Sequence, residues 1–260
     1  MKITPLSSGS KGNSYLIESG KTHILIDAGL SAKQLGNRLM DADCDPSNIS
    51  AIFVTHEHGD HIGGVRVFSK KFKIPVYMNI ATYNAACEKH KLEQLNNFQE
   101  FKTGEAFDFQ DIHIHPLKIT HDTADPVCFT VNDGRHLAAI VTDLGKLNTL
   151  VSMNLRKADI LVLESNHDLS MLKCNPMYPE KIKQRIRSNF GHLSNEQSAK
   201  AALEVLKQGK LKHLILAHLS ENNNSETKVR QCFEKHFRAE GIDFPISFAK
   251  QHIVSDKIIL

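Results

Sequence analysis

Several things are scarce in this sequence of 260 residues, and each scarcity closes off a class of protein. Cysteine occurs five times (Cys44, Cys87, Cys128, Cys174, Cys232), an odd number without a C-x-x-C pair, which argues against a disulfide framework and for a reducing compartment. No uninterrupted apolar run is long enough to span a bilayer. The amino terminus, MKITPLSSGSKGNSYLIESG, has no basic stretch followed by a long apolar segment, so the expectation is a soluble, cytoplasmic protein without a membrane partner. A formal net charge of +3 is too small to imply a nucleic-acid partner by itself, because such binding depends on local clustering of Lys and Arg. Repeats, low-complexity tracts and obvious linkers are also missing, so a single domain over residues 1–260 is the default.

What the chain has in quantity is histidine, fifteen in all, the commonest metal ligand and the usual acid–base group near neutral pH. Several short aliphatic runs end in a charged or metal-capable side chain: HILIDAG at Asp27, AIFVTH at His56, LKITH at His121, LAAIVTD at Asp143, ILVLE at Glu164 and HLILAH at His218. Such runs suit strands covered on both faces. Helical patterns separate some of them. Ser31 opens one over 31–41, a proline starts another over 178–188, and a Ser194/Gln197 capping box starts a third that Gly209 stops. A fourth ends at Gly241. Strands alternating with amphipathic helices predict an α/β fold whose strand ends build a site.

The stretch FVTHEHGDHIGG carries the chemistry. A strand-terminal Asp or His taken alone more often caps a turn than binds metal, but His56, His58, Asp60 and His61 form H-x-H-x-D-H. Histidines two apart in extended chain point to one side, so His56 and His58 can pinch one ion, and the turn at Gly59 lets Asp60 and His61 face a second. Four side chains of one loop cannot surround an ion alone, so ligands must join from elsewhere. The strand-end candidates are His121, Asp143 and His218. With His56, His58 and His121 on one ion, Asp60, His61 and His218 on the other, and Asp143 bridging, the set suits a two-metal hydrolytic site. Imidazoles with carboxylates accept zinc, manganese or iron alike.

The motif, its order along the chain (Asp27, the loop, His121, Asp143 in TDLG, His218 in LAHLS) and its context resemble the metallo-β-lactamase superfamily. Within it, LSSGSKGNSYLIES, THDTADPVCFTV, LESNHD and FGHLSNEQSA look most like the YycJ group, also called WalJ or VicX, bacterial proteins implicated as 5′-to-3′ DNA exonucleases. The resemblance implies a four-layer αββα sandwich. It implies a dinuclear metal-dependent phosphodiester hydrolase acting on DNA, with Asp60, Asp143 and His192 closest to the chemistry and His192 protonating the leaving oxygen. It also implies that Asp27 lies beneath the metal loop. The alternatives are hydrolysis of a small phosphodiester or thioester, or a metal-binding regulatory protein without turnover.

Around this set stand residues with more than one reading. Glu164 ends a strand and can orient His192 or His167, and His167 can touch substrate or metal. His192 precedes a capped helix, whose free N–H groups and dipole favour an anion. The loop SSGSKGNS can cradle phosphate or simply turn the chain, and it lacks the P-loop spacing. Lys181, Lys183, Arg185 and Arg187, with Lys70, Lys71 and Lys73, read first as solvated faces, although both clusters flank motif segments where nucleic-acid phosphates would need neutralising.

Overall fold

The computed structural model describes residues 1–90, 92–95 and 97–260. These fall into two compact units, the first from residues 1–118, 123–136 and 249–260, the second from residues 119–122 and 137–248.

In the first unit, β1 (Lys2–Ser7), β2 (Ser14–Ser19) and β3 (Thr22–Ile26) run antiparallel. Gly20, at φ +51°, makes the tight β2–β3 turn that a side chain would resist. From β3 the pattern changes to parallel: β4 (Ala51–Phe53), β5 (Val76–Met78) and β6 (Phe98–Glu100) follow in order. Parallel neighbours need crossover connections. These are supplied by α1 (Ala32–Asp41), then by α2 (Gly59–Ile62) with α3 (Val65–Phe72), and then by α4 (Ile80–His90). α1 begins where Ser31 accepts the Gln34 N–H, and it buries Leu35 and Leu39 completely, each worth about 1.5–3 kcal/mol. An antiparallel run of β7 (Phe107–Phe109), β8 (Ile112–Lys118) and β9 (Val127–Asn132) completes most of the unit. An aromatic cluster fills its core: the Phe53 ring stacks on Tyr77 at 4.8 Å and meets Phe109 at 5.4 Å and Phe129 at 6.0 Å.

The second unit is a parallel sheet of β10 (Leu137–Val141), β11 (Ile160–Glu164), β12 (His213–Ala217) and β13 (Ile246–Phe248). Its crossovers are α5 (Thr149–Leu155), the series α6 (Leu169–Cys174), α7 (Glu180–Arg187) and α8 (Asn195–Gln208), and α9 (Glu226–Ala239). Every residue of β11 is buried, as a strand covered on both faces requires. The parallel direction puts Asp143, Glu164 and His218 at the same carboxyl-terminal edge, where open α/β sheets place their sites. In the first unit, the short strand β14 (Ile258–Ile259) pairs with β1.

The expected strands correspond to β3, β4, β10, β11 and β12. The run LKITH does not: β8 stops at Lys118, so His121 sits three residues beyond it in a loop. Among the described residues all five cysteines are free thiols, and no described helix is long and apolar enough to cross a membrane.

Candidate metal centre

In the first unit the motif loop leaves β4 and folds into the short helix α2, with His58 at its N-cap in extended conformation. His56 and His61 are fully buried. His56 Nε2 lies 3.2 Å from His58 Nδ1, close to the roughly 3.3 Å that two nitrogens about 2.0–2.1 Å from one ion subtend at a tetrahedral angle. Behind the rings, a hydrogen-bonded chain fixes the tautomers. His61 Nδ1 donates to Asp27 Oδ2 at 2.7 Å, and His56 Nδ1 meets the Thr55 hydroxyl at 2.9 Å, which itself donates to Asp27 Oδ2 at 2.8 Å. With each Nδ1 held as a donor, the Nε2 atoms of His56 and His61 face the other side of the rings, where His56 Nε2 meets His58 Nδ1 and His61 Nε2 accepts from the Asn13 amide at 3.0 Å. Asp27 also accepts the Thr55 N–H at 2.8 Å. Burial raises its carboxyl above the usual range, against the lowering pull of His61 and Thr55. The loop rests on the segment after β3 with no room to spare: a Cβ on Gly29 would lie 1.6 Å from the Asp60 carbonyl oxygen.

In the second unit, Glu164 organises the cluster. Its fully buried carboxylate takes His192 Nδ1 at 2.7 Å and His218 Nδ1 at 3.0 Å on Oε1, and the N–H groups of Leu193 at 3.0 Å and Leu144 at 3.2 Å on Oε2. Four donors on one carboxylate leave it orienting other groups, although its oxygen lies within 4.8 Å of ligand atoms of Asp143, His192 and His218. Burial alone would raise its pKa, but the His192 charge and the bonds from His192 and His218 hold it well below the ordinary carboxylate range. His218 Nε2 lies 3.4 Å from Asp143 Oδ1, again a separation one ion can bridge. His121 Nδ1 donates to the Gly191 carbonyl at 3.2 Å, which directs its Nε2 outward. Burial lowers the His121 pKa, although Asp143 opposes it, a direction that favours the neutral ring a metal would require. His192 goes the other way: burial would lower its pKa, but Glu164 and then Asp143 raise it above the usual value.

Asp27, Asp143 and His218 share a backbone oddity, with φ of 62°, 58° and 54°. Left-handed conformation is uncommon for residues with side chains, and strain of this kind gathers at functional sites. Here each chain turns sharply off its strand, which swings the side chain over the strand end.

Some expectations change. Four N–H groups of SSGSKGNS already have acceptors: Gly9 in Asn13 Oδ1, Lys11 in Gln251, Gly12 in the Gly9 carbonyl and Asn13 in the Asp60 carbonyl. The loop therefore buttresses the motif, and these four groups are not offered to a phosphate. The start of α8 is likewise occupied, since Leu193 N–H goes to Glu164, Ser194 and Gln197 N–H to the capping box, and Asn195 N–H to the His167 carbonyl. An anion at His192 would meet the imidazole rather than those groups. His167 is 1% exposed, outside the Asp143 cluster, and neither ring nitrogen has a hydrogen-bond partner. Burial pushes its pKa down to about 4.

Sequence reading missed three supports. Asn13 bonds His61 Nε2 at 3.0 Å and Asp60 Oδ2 at 3.1 Å, Thr55 links His56 to Asp27, and Asn166 donates to the His218 carbonyl at 3.0 Å. Thr55 at least adjoins the motif; nothing in the sequence ties Asn13 to residues 47 and 48 positions away.

A family model described as the metallo-beta-lactamase superfamily matches residues 8–165. The sequence is 35% identical over 243 residues to an exodeoxyribonuclease YycJ of Bacillus anthracis, covering 93% of this chain and 90% of that one. It is 34% identical over 252 residues to an exodeoxyribonuclease WalJ of Streptococcus pneumoniae, covering 94% and 93%. The crystal structure of the metallo-beta-lactamase fold protein YhfI from Bacillus subtilis matches with a TM-score of 0.75 at 19% identity, over 98% of this chain and 99% of that chain. The fold is therefore the one the motif implies.

Proposed function

Because the chain belongs to the metallo-β-lactamase superfamily, we propose that it is a DNA exonuclease using two divalent metal ions to hydrolyse phosphodiester bonds. The ligands proposed are His56, His58 and His121 for one ion, Asp60, His61 and His218 for the other, and Asp143 between them. The donor chemistry of each unit fits: His61, His121 and His218 have Nδ1 hydrogen-bonded, and nitrogen or oxygen pairs stand at bridging separations. When bound, the ions supply Lewis acidity, making water a nucleophile at neutral pH and offsetting charge on the phosphoryl oxygens.

The observation that carries the reading is the division of labour imposed by Glu164. One buried oxygen fixes Nδ1 of both His192 and His218, leaving Nε2 of one to ligate and Nε2 of the other to move a proton. Glu164 and Asp143 raise the His192 pKa above the usual imidazole value, the direction that suits a general acid. DNA as substrate is supported by the 35% identity to a relative named for that activity. α7, which buries none of its residues, carries the four cations just before His192. Arg185 is tied to Asp122 and Arg187 to Glu180, whereas Lys181 has no ion pair among the described residues. Phe190, 58% exposed on the loop between α7 and His192, gives a base a ring to stack on. We place the enzyme in the cytoplasm, the compartment that its free cysteines suit.

The test is nucleotide release from end-labelled single- and double-stranded DNA by chelated protein reloaded with Mn²⁺, Zn²⁺ or Fe²⁺. His58→Ala and Asp143→Ala run alongside with their metal content counted. Cleavage that returns with a metal and falls at least about 1000-fold in folded variants is expected. Full activity in either variant refutes the ligand set, and a wild type inert on DNA but active on a small phosphodiester or thioester refutes the substrate.

A further inference from the structure

Away from these residues, in the second unit, a second cluster of ligand-type side chains joins two helices. Glu196 stands in the first turn of α8, and Cys232 and His236 stand four apart on α9, on one face of that helix. One ligand atom from each lies within 4.8 Å of the others. His236 Nε2 is 2.5 Å from Glu196 Oε2, and the Cys232 sulfur lies within 4.8 Å of a ligand atom of each. All three side chains are half-buried, so an ion could enter from solvent and keep a water in its remaining position.

The simpler account is a helix-to-helix ion pair with a thiol attached. Two features go beyond it. The donors are sulfur, nitrogen and oxygen, converging from two separate helices, whereas an ion pair needs only the last two. A Cys and a His one helical turn apart form a chelate, and a carboxylate across the helix interface supplies a third ligand, the number that zinc sites with an open position use. A metal bridging Nε2 and Oε2 would open their separation to about 3.3 Å, within the reach of a rotamer adjustment by Glu196. We infer that Glu196, Cys232 and His236 form a binding site for a thiophilic divalent cation of the zinc type, separate from the proposed hydrolytic ions. This inference does not rest on the exonuclease reading. On binding, the ion takes the sulfur as thiolate and the thiol proton leaves to solvent, so no oxidant or reductant is involved. An ion there would staple the start of α8, four residues after His192, to α9.

The experiment is a Co²⁺ titration of the full chain, with metal counted after gel filtration and the near-ultraviolet spectrum recorded. The ligands proposed for hydrolysis include no sulfur, so a thiolate-to-cobalt charge-transfer band reports a cysteine site, and its loss in Cys232→Ser assigns it to this cluster among the five free thiols. The wild type should show the band and bind one equivalent more than Cys232→Ser, which should lose the band. His236→Ala, which keeps the thiol, should lose the same equivalent, separating a built site from adventitious binding at a cysteine. Thermal melting of the metal-free variants checks that they fold. A wild type without the band, or a band that persists in Cys232→Ser, overturns the proposal. So does an unchanged cobalt count in folded His236→Ala.

Discussion

Replacing Glu164 by Gln is the sharpest perturbation the structure offers, because it removes one charge from the centre of four hydrogen bonds while nearly preserving shape. The carboxylate accepts from His192, His218, Leu144 and Leu193, and an amide has one acceptor oxygen and one NH₂ group. Whichever way it is placed, the NH₂ faces donors. A hydrogen bond to a charged group contributes about 1.5–3 kcal/mol. Loss of the one that holds His192 in orientation and protonated should therefore lower kcat roughly 10- to 150-fold at neutral pH, at about 1.4 kcal/mol per factor of ten. The pH profile separates this from simple destabilisation. His192 must be protonated to act, so activity falls as pH rises through its pKa. Burial lowers that pKa, and Glu164 is the leading cause that raises it. In Glu164→Gln burial prevails, and the alkaline limb of kcat should move to lower pH. The assay is single-turnover DNA cleavage by metal-loaded protein across the pH range, with folding checked by thermal melting. A limb that stays in place in a folded variant would refute the role given to His192.

Other consequences follow from the same geometry. Asp27→Asn should weaken metal binding about 10- to 100-fold, because His61 loses the carboxylate that fixes its tautomer; chelator competition measures this, and unchanged affinity would show that Asp27 only ties the backbone. His167 bears on stability against acid. Its pKa of about 4 lies below the ordinary 6.5, so the unfolded chain binds its proton first, and stability present above pH 6.5 is lost as pH falls towards 4, by about 3 kcal/mol. His167→Leu should flatten that part of the denaturation curve, and a curve as steep as wild type would contradict the assignment. Phe190→Ala should raise KM for single-stranded DNA by up to roughly 100-fold, from about 1–3 kcal/mol of lost stacking, leave turnover of a small chromogenic phosphodiester unchanged, and be rescued by Phe190→Tyr. Equal losses on both substrates would assign Phe190 to the structure of the loop.

The strand-end pattern and the H-x-H-x-D-H spacing were legible in the sequence because both are local. Alternation of apolar runs with capped helices fixes strand and helix identity within a few residues, and the Ser194/Gln197 box and the Ser31 cap are visible as text. The motif also names its own chemistry, since histidines two apart in extended chain must share a side. The supports depended on folding. Asn13 reaches His61 only because the β1–β2 loop is laid against α2, and Glu164 gathers His192 and His218 from 28 and 54 residues away because parallel strands end on one edge. The same folding redirected the Gly/Ser loop and the α8 N-terminus, whose N–H groups found internal acceptors as buried backbone groups must. Local pattern thus marked which residues are candidate ligands; the tertiary structure decided which nitrogen of each ring is tied down, because a tautomer is set by the partner on the far side of the ring.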